Sequence, residues 1–209
     1  MTLPLFPAEH VAVTAARESE FHPTPPDVLR ALVRGMSEAG HAPLPWEGSI
    51  LEPMAGEGAL VRAVEQTMGQ SPSRMWTLWE LRREAAQRLR EAHFTNVHSV
   101  HTGDVPNAIE AGMVNRHDLA MTNPAWSLAI ECADACLRVA HHVALHVPLA
   151  TVETPERRAF FRKHPADLYP LDWRPNYDGR GTIGRAVCWV VWGPGRGGRW
   201  FPLSRPESQ

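Results

Sequence analysis

The chain has 209 residues and a formal net charge of −2. That is enough length to bury the core of one medium domain, and the charge gives no global attraction to nucleic acid, so any polyanion contact must come from local patches. No apolar run is long enough to span a bilayer, no internal repeat is present, and the N-terminus lacks the basic stretch and apolar run of a signal peptide.

The basic residues are almost all arginine, with Lys163 the sole lysine. Arginine's planar fork suits phosphates and base edges. Three cysteines, Cys132, Cys136 and Cys188, are too few and odd in number for a disulfide framework. A reducing, cytoplasmic setting is expected.

Met1 to Phe21 has weak periodicity and reads as an arm or lid. A domain from 22 to 203 follows, and Ser204 to Gln209 reads as a short frayed tail. Order begins at Thr24-Pro25-Pro26-Asp27, where Thr24 can cap a helix, Pro25 suits its first position and Asp27 can close a capping box. Val28, Leu29, Leu32, Val33 and Met36 continue as a helical stripe. Ser49 to Pro53 is a short buried strand that runs into Met54-Ala55-Gly56-Glu57-Gly58 and a helix from Ala59 to about Met68. Met75 to Leu81 is a second strand and Arg82 to His93 a charged helix. Asn96 to His101 is a third, weaker strand, followed by Gly103-Asp104. Asp118 to Thr122 is a fourth, ending at Asn123-Pro124-Ala125-Trp126. A helix from Ser127 to about Ala140, a strand from Val143 to Val147 and a helix from Pro155 to Lys163 come next. Asp167 to Trp173 and Ala186 to Trp192 are two late strands without a helix between them, which predicts a hairpin. The earlier alternation predicts an α/β fold, a mostly parallel sheet with helices on both faces. Ligands of such sheets bind beyond the carboxyl ends of the strands.

The residues with chemical potential sit at those ends. Glycines after a strand let a backbone approach a ligand, and the following helix offers free N–H groups, so Glu52 to Gly58 is a candidate loop; a tight turn explains a lone Gly-x-Gly pair equally well. Glu80 ends the second strand roughly 20 residues later, the spacing of a carboxylate that binds ribose hydroxyls; it could also be a carboxylate beside a helix dipole. Asp104 could accept from an adenine amine or simply cap a helix. In Asn123-Pro124-Ala125-Trp126, a side-chain amide oxygen and a backbone carbonyl could both accept from an exocyclic amine and stabilise its developing positive charge. The nearby indole could stack on a base for ~1–3 kcal/mol. Taken alone, the tetrapeptide also reads as a turn with a buried tryptophan.

Three segments occur in a telling order: Phe21-His22-Pro23-Thr24-Pro25-Pro26, Glu52-Pro53-Met54-Ala55-Gly56-Glu57-Gly58, and Asp118 through Asn123-Pro124-Ala125-Trp126. Together they resemble the class I S-adenosylmethionine-dependent methyltransferases, in particular the small N6-adenine DNA methyltransferases of phages and mobile elements. The closing stretch, from Arg174-Pro175 through Tyr177 to Cys188-Trp189-Val190-Val191-Trp192, is similar to the end of that group. The resemblance implies a Rossmann-like fold, S-adenosylmethionine as cofactor and DNA as partner. It places Thr24 and Pro25 near the methionine end of the cofactor, and Glu52, Ala55, Gly56 and Gly58 in its main loop. Glu80 would take the ribose and Asp104 the adenine amine. Asn123 and the Pro124 carbonyl would hold the target amine, beside the cofactor, and Trp126 would stack on the base. The family usually carries a second proline where this chain has Ala125, which implies a less stiff loop. Methylation of RNA or of a protein glutamine amide, and a non-catalytic cofactor-binding partner subunit, are the alternatives.

Cys132 and Cys136 with His141, His142 and His146 have the residue types of a metal site. The cysteines fall on a helix of small apolar residues, where they are expected to pack as hydrophobes. Trp189 and Trp192 are expected to pack a sheet. Arg174, Arg180, Arg185, Arg196 and Arg199 lie in glycine-rich loops expected to flank the cleft, where they could follow a phosphate backbone.

Overall fold

The computed structural model describes residues 22–177, 179, 181, 182 and 184–207. The expected arm from Met1 to Phe21, and Arg180, lie outside the described residues.

The first helix, α1, spans Pro26–Glu38 and buries Val28, Leu29, Ala31, Leu32 and Met36 along one stripe. Its start differs from expectation. Pro25 is the N-cap, with φ −70° and ψ 148° and no side-chain cap bond, and Pro26 is the first helical residue. A residue before proline is pushed out of the helical region, so Pro26 holds Pro25 extended and Thr24 falls one position outside the cap.

From β1 (Gly48–Glu52) the chain passes through α2 (Ala59–Met68) to β2 (Arg74–Glu80), through α3 (Arg83–Glu91) to β3 (Val97–Thr102), and through α4 (Val105–Glu110) back to β4 (His117–Thr122). A 3-10 turn at Trp126–Leu128 leads into α5 (Ala129–Val139) and β5 (Ala140–Pro148). A second turn, Leu149–Val152, precedes α6 (Pro155–Lys163), β6 (Asp167–Pro170) and β7 (Val187–Trp192). The sheet order is β3-β2-β1-β4-β5-β7-β6. Strand β1 pairs in parallel with β2 on one side and β4 on the other. Chain direction across the sheet therefore reverses between β1 and β4, and a crevice opens at their carboxyl ends.

Side chains alternate between the faces of each strand. Ile50, Leu119 and Trp189 join the core beneath α1 and α2. Their neighbours Leu51, Ala120 and Val190 join the core beneath α5, where Cys132 and Cys136 also pack. Trp189 and Trp192 are buried, and their indoles donate to the carbonyls of Val28 (3.2 Å) and His164 (2.9 Å). Each buried side chain of this size contributes roughly 1.5–3 kcal/mol relative to exposure.

The two late strands do pair antiparallel, but β7 inserts between β5 and β6 and is antiparallel to both. All six of its residues are buried. The outer edge of β6 is covered by the last segment: Phe201 N–H donates to the Leu168 carbonyl (2.9 Å) and Leu203 N–H to that of Pro170 (2.7 Å). At the expected tail, Ser204 Oγ donates to Asp172 (2.8 Å).

Asp167, fully buried at the amino end of β6, fixes this edge. Its carboxylate accepts from Gly197 N–H (2.9 Å) and pairs with Arg199 (2.8 Å) and Arg196 (3.5 Å). Burial alone would raise its pKa, but Arg199 and the backbone donors outweigh it and hold the group below its ordinary value. Arg196 and Arg199 therefore do not flank the cleft as the sequence suggests. They lie at the opposite end of the sheet, because β7 runs back towards the amino end of β5 before their loop begins. No helix among the described residues is long and apolar enough to cross a membrane.

Candidate functional site

The loop after β1 is tied to the end of β2. Ala55 N–H donates to the Trp79 carbonyl (2.9 Å) and Gly56 N–H to Glu80 Oε2 (2.7 Å). Gly56 and Gly58 have φ of 58° and 77°, which glycine adopts without steric cost. A Cβ on Gly58 would also come within 2.7 Å of the Phe94 ring. Glu80 is buried, and its other oxygen accepts from Arg82 N–H (2.9 Å) and Nε (2.8 Å). A carboxylate has about four lone-pair sites, so these three bonds leave capacity for about one hydroxyl donor.

Glu52 ends β1 at the mouth of the crevice. It is buried, and Oε2 has no hydrogen-bond partner among the described residues. Burial, then the charge of Glu80, pushes its carboxyl well above the usual range, and Arg62 opposes them. An unpartnered buried carboxyl beside an open glycine loop suits a cationic ligand that restores its charge. The ammonium and sulfonium of S-adenosylmethionine have that character, and Glu80 beside the loop suits ribose hydroxyls, so the residues present fit this cofactor. Asp104, beyond β3, caps α4 by accepting from Asn107 N–H (3.1 Å). Thr24 is buried just ahead of α1, and Pro25 is half-buried.

Across the crevice, Asn123 follows β4. Its Nδ2 donates to the His22 carbonyl (2.6 Å), while its buried Oδ1 has no partner among the described residues. Trp126, in the 3-10 turn, lies in a cluster of rings. His22 is 4.6 Å from it, Tyr177 is 6.5 Å from it edge-on, and the Arg185 guanidinium is 5.9 Å above its face. Ala125, between Pro124 and Trp126, has φ −54° and ψ 124°. That is a backbone conformation proline itself adopts.

Tyr177 is anchored from below by His146 of β5, whose Nε2 lies 2.6 Å from the phenol oxygen. Burial lowers the His146 pKa to about 3 and raises that of Tyr177, so both stay neutral through the physiological range. Tyr177→Phe leaves the fully buried imidazole without this partner and is expected to cost about 1–3 kcal/mol in chemical denaturation. An unchanged denaturation midpoint would show that the imidazole finds another partner.

The structure thus brings Glu52, Ala55, Gly56, Gly58, Glu80, Asn123, Pro124 and Trp126 to the carboxyl ends of β1, β2 and β4. Arg185 joins them at Trp126, while Arg174 is exposed in the loop before β7. The sequence assigns no role to His22 or Tyr177 and offers His146 only as one of the residue types of a metal site; all three join the site through contacts 31 and 101 residues apart in the chain. The aromatic character of His22 and Tyr177, inside segments already singled out, was the available signal.

No family model and no curated protein matches this chain. Solved structures do. A type I restriction-modification methyltransferase subunit from Streptococcus thermophilus superposes with a TM-score of 0.64 at 13% identity over 94% of this chain. This protein spans 50% of that subunit's length. A candidate RNA methyltransferase from Pyrococcus horikoshii gives 0.61 at 14% identity, covering 90% of this chain and 98% of its own. A candidate class I S-adenosylmethionine-dependent methyltransferase from Listeria monocytogenes gives 0.61 at 10% identity, covering 86% and 65%. The fold is that of the Rossmann-like class I methyltransferases.

Proposed function

We propose that this protein transfers a methyl group from S-adenosylmethionine to the exocyclic N6 amine of adenine in DNA. The observation that carries this reading is the Asn123 amide oxygen, buried at the end of β4 without a partner among the described residues and close in sequence to the Trp126 ring. The N6 lone pair of adenine is delocalised into its ring, which makes the amine a poor nucleophile. Asn123 Oδ1 and the Pro124 carbonyl accept from the two N–H groups, orient the nitrogen and stabilise the positive charge it acquires.

When bound, S-adenosylmethionine supplies a sulfonium-activated methyl group for direct displacement. Glu52 would face its cationic groups, the loop through Ala55, Gly56 and Gly58 would let the protein backbone approach it closely, and Glu80 would accept from the ribose. Thr24 and Pro25 line its methionine end, and Asp104 accepts from its adenine amine. Trp126, with Tyr177 and His22 nearby, offers ring faces to a base taken out of its stack, a step that costs a few kcal/mol. Because His22 now packs on Trp126, a base stacking on that face displaces its ring. Arg174 and Arg185 serve the polynucleotide, and Arg180, which lies between them in the sequence, is proposed for the same task.

DNA as acceptor is supported by the sequence resemblance and by the likeness to a restriction-modification subunit. RNA is the second reading, favoured by the likeness to the Pyrococcus protein. The non-catalytic alternative rests on Ala125 in place of a second proline, and the proline-compatible backbone of Ala125 counts against it. Ala125→Pro is expected to stabilise the protein by about 0.4–1 kcal/mol through the unfolded state and to keep turnover at or above the original rate. A lower melting temperature with lost turnover would mean that the extra N–H of alanine is needed.

The deciding experiment transfers labelled methyl groups to unmethylated DNA, RNA and a glutamine-bearing protein in parallel, with nucleoside analysis. N6-methyladenine in DNA is the expected product. Label in RNA alone moves the acceptor, and no label anywhere despite a bound cofactor overturns the transferase reading.

A further inference from the structure

A cleft of about 600 Å³ opens beside the aromatic cluster, with His22 and Trp126 at one part of its lining and Thr151, Thr154, Arg157 and Arg185 also on its wall. No acidic residue lines it among the described residues. In a chain of net charge −2, this is a local concentration of positive charge. Arg157 sits on the first turn of α6, whose N-cap, Thr154, makes no side-chain cap bond, and Pro155 takes the first helical position. Pro155 has no N–H and the Arg157 N–H donates to the Thr154 carbonyl (3.2 Å), so the helix start adds only its partial positive charge to the same wall. Unlike Arg196 and Arg199, which Asp167 holds, neither Arg157 nor Arg185 has an ion-pair partner among the described residues.

We infer that this cleft is a phosphate subsite that holds the acceptor strand of a nucleic acid, with Arg157 and Arg185 as its charged contacts and Thr151 and Thr154 as hydroxyl donors. The inference rests on the nucleic-acid reading above and deepens it. Ring faces that take a base adjoin cationic and hydroxyl groups that take a phosphodiester, so one cleft matches the two chemical halves of a nucleotide. A glutamine side chain has neither half. Arginine suits the task because its fork can grip two phosphate oxygens at once.

The test is binding of the full chain to a fluorescent, adenine-containing single-stranded oligodeoxynucleotide across a salt series. Arg157→Ala is expected to weaken binding roughly tenfold and to lower the slope of log K against log salt by about 0.7. Arg157→Lys restores the slope but only part of the affinity. A neutral methylphosphonate beside the adenine weakens binding by the unaltered protein and has a smaller effect on Arg157→Ala, in which Arg185 alone supplies the charge. Unchanged affinity and slope in Arg157→Ala, or no binding of the oligonucleotide by the unaltered protein, overturns the subsite. Displacement of the strand by polyglutamate at equal charge concentration also overturns it, in favour of an acidic-peptide site. Calorimetry with S-adenosylmethionine and the methyl-transfer assay, run on the same proteins, separate the two readings. Transfer that persists with an Arg157-independent strand sinks the subsite alone. Arg157-dependent strand binding without cofactor binding sinks the methyltransferase reading alone.

Discussion

Asn123→Ala lowers the rate of methyl transfer by about 10²–10³-fold, the loss typical of removing one preorganised contact to developing charge, and leaves cofactor affinity unchanged. The split follows from where the two ends of the amide point. Nδ2 is engaged by the His22 carbonyl at 2.6 Å, while Oδ1 is buried with no partner among the described residues. The engaged end sets the orientation and leaves the other end for the proposed acceptor amine. Removing the side chain deletes an interaction that strengthens as charge builds on nitrogen, so the loss falls on kcat more than on KM. The carboxylates proposed to hold the cofactor, Glu52 and Glu80, end β1 and β2 and share no hydrogen bond with Asn123 among the described residues, so they are expected to be untouched. His22 loses its anchor in the same variant, and an Asn123→Asp control that retains kcat, since it keeps an acceptor oxygen but lacks the Nδ2 donor to that backbone carbonyl, separates the effect. Single-turnover rates with calorimetric cofactor affinity decide the matter. A variant that retains the rate, or that loses the cofactor, excludes this role for Asn123.

Much of the fold is legible in the sequence where the signal is local. Helices α2 and α6 have the expected bounds, Ala59–Met68 and Pro155–Lys163, because the glycine before one and the proline opening the other punctuate the chain. The six-residue helix α4 is absent from the sequence reading. Its Asp104 cap and early proline are both present, but two turns are too short to show a period. Strand β3 reads weakly because it is an edge strand and half exposed. The C-terminal pair shows the limit of local signals. Two strands without an intervening helix imply antiparallel pairing, which is found, but not which of them is inner. The unbroken buried run of β7 carries that information, since only a strand covered on both faces tolerates it.

The site divides in the same way. Strand-end residues such as Glu52, Glu80 and Asn123 are found by following strand order. The ring cluster is not, because His22, Trp126 and Tyr177 meet only through tertiary packing. The arginines divide by partner. Arg196 and Arg199 have the same composition-level signature as Arg185, and only the buried Asp167, about 30 residues earlier, separates a structural guanidinium from one open to a ligand.

Glu52→Gln is expected to move stability and cofactor affinity in opposite directions. Glu52 is buried, and its pKa is raised well above the usual range by burial and by Glu80. Between the ordinary glutamate pKa of about 4.3 and that raised value, the folded chain binds more protons at this site than the unfolded chain. Stability therefore falls as pH rises through the window, by at most about 1.4 kcal/mol per pH unit, and the penalty is complete above it. Glutamine carries no charge to desolvate, so Glu52→Gln removes that pH dependence and makes the free protein more stable on the alkaline side. The cofactor sees the reverse. A cation facing Glu52 favours the ionised form, so its binding expels the proton, and in the unaltered protein affinity rises with pH, by up to about tenfold per unit, until the raised pKa is passed. In Glu52→Gln that slope disappears, and the cation, left without its counter-charge in a buried site, loses about 2–5 kcal/mol of binding. Melting curves and calorimetry from pH 5 to 9, an interval of about four units around the histidine and raised-carboxylate range, read both effects on one pair of proteins. A variant that gains stability yet binds the cofactor as tightly as before would place the cationic groups elsewhere, and Glu52 would then be a buried acid that the fold tolerates for another reason.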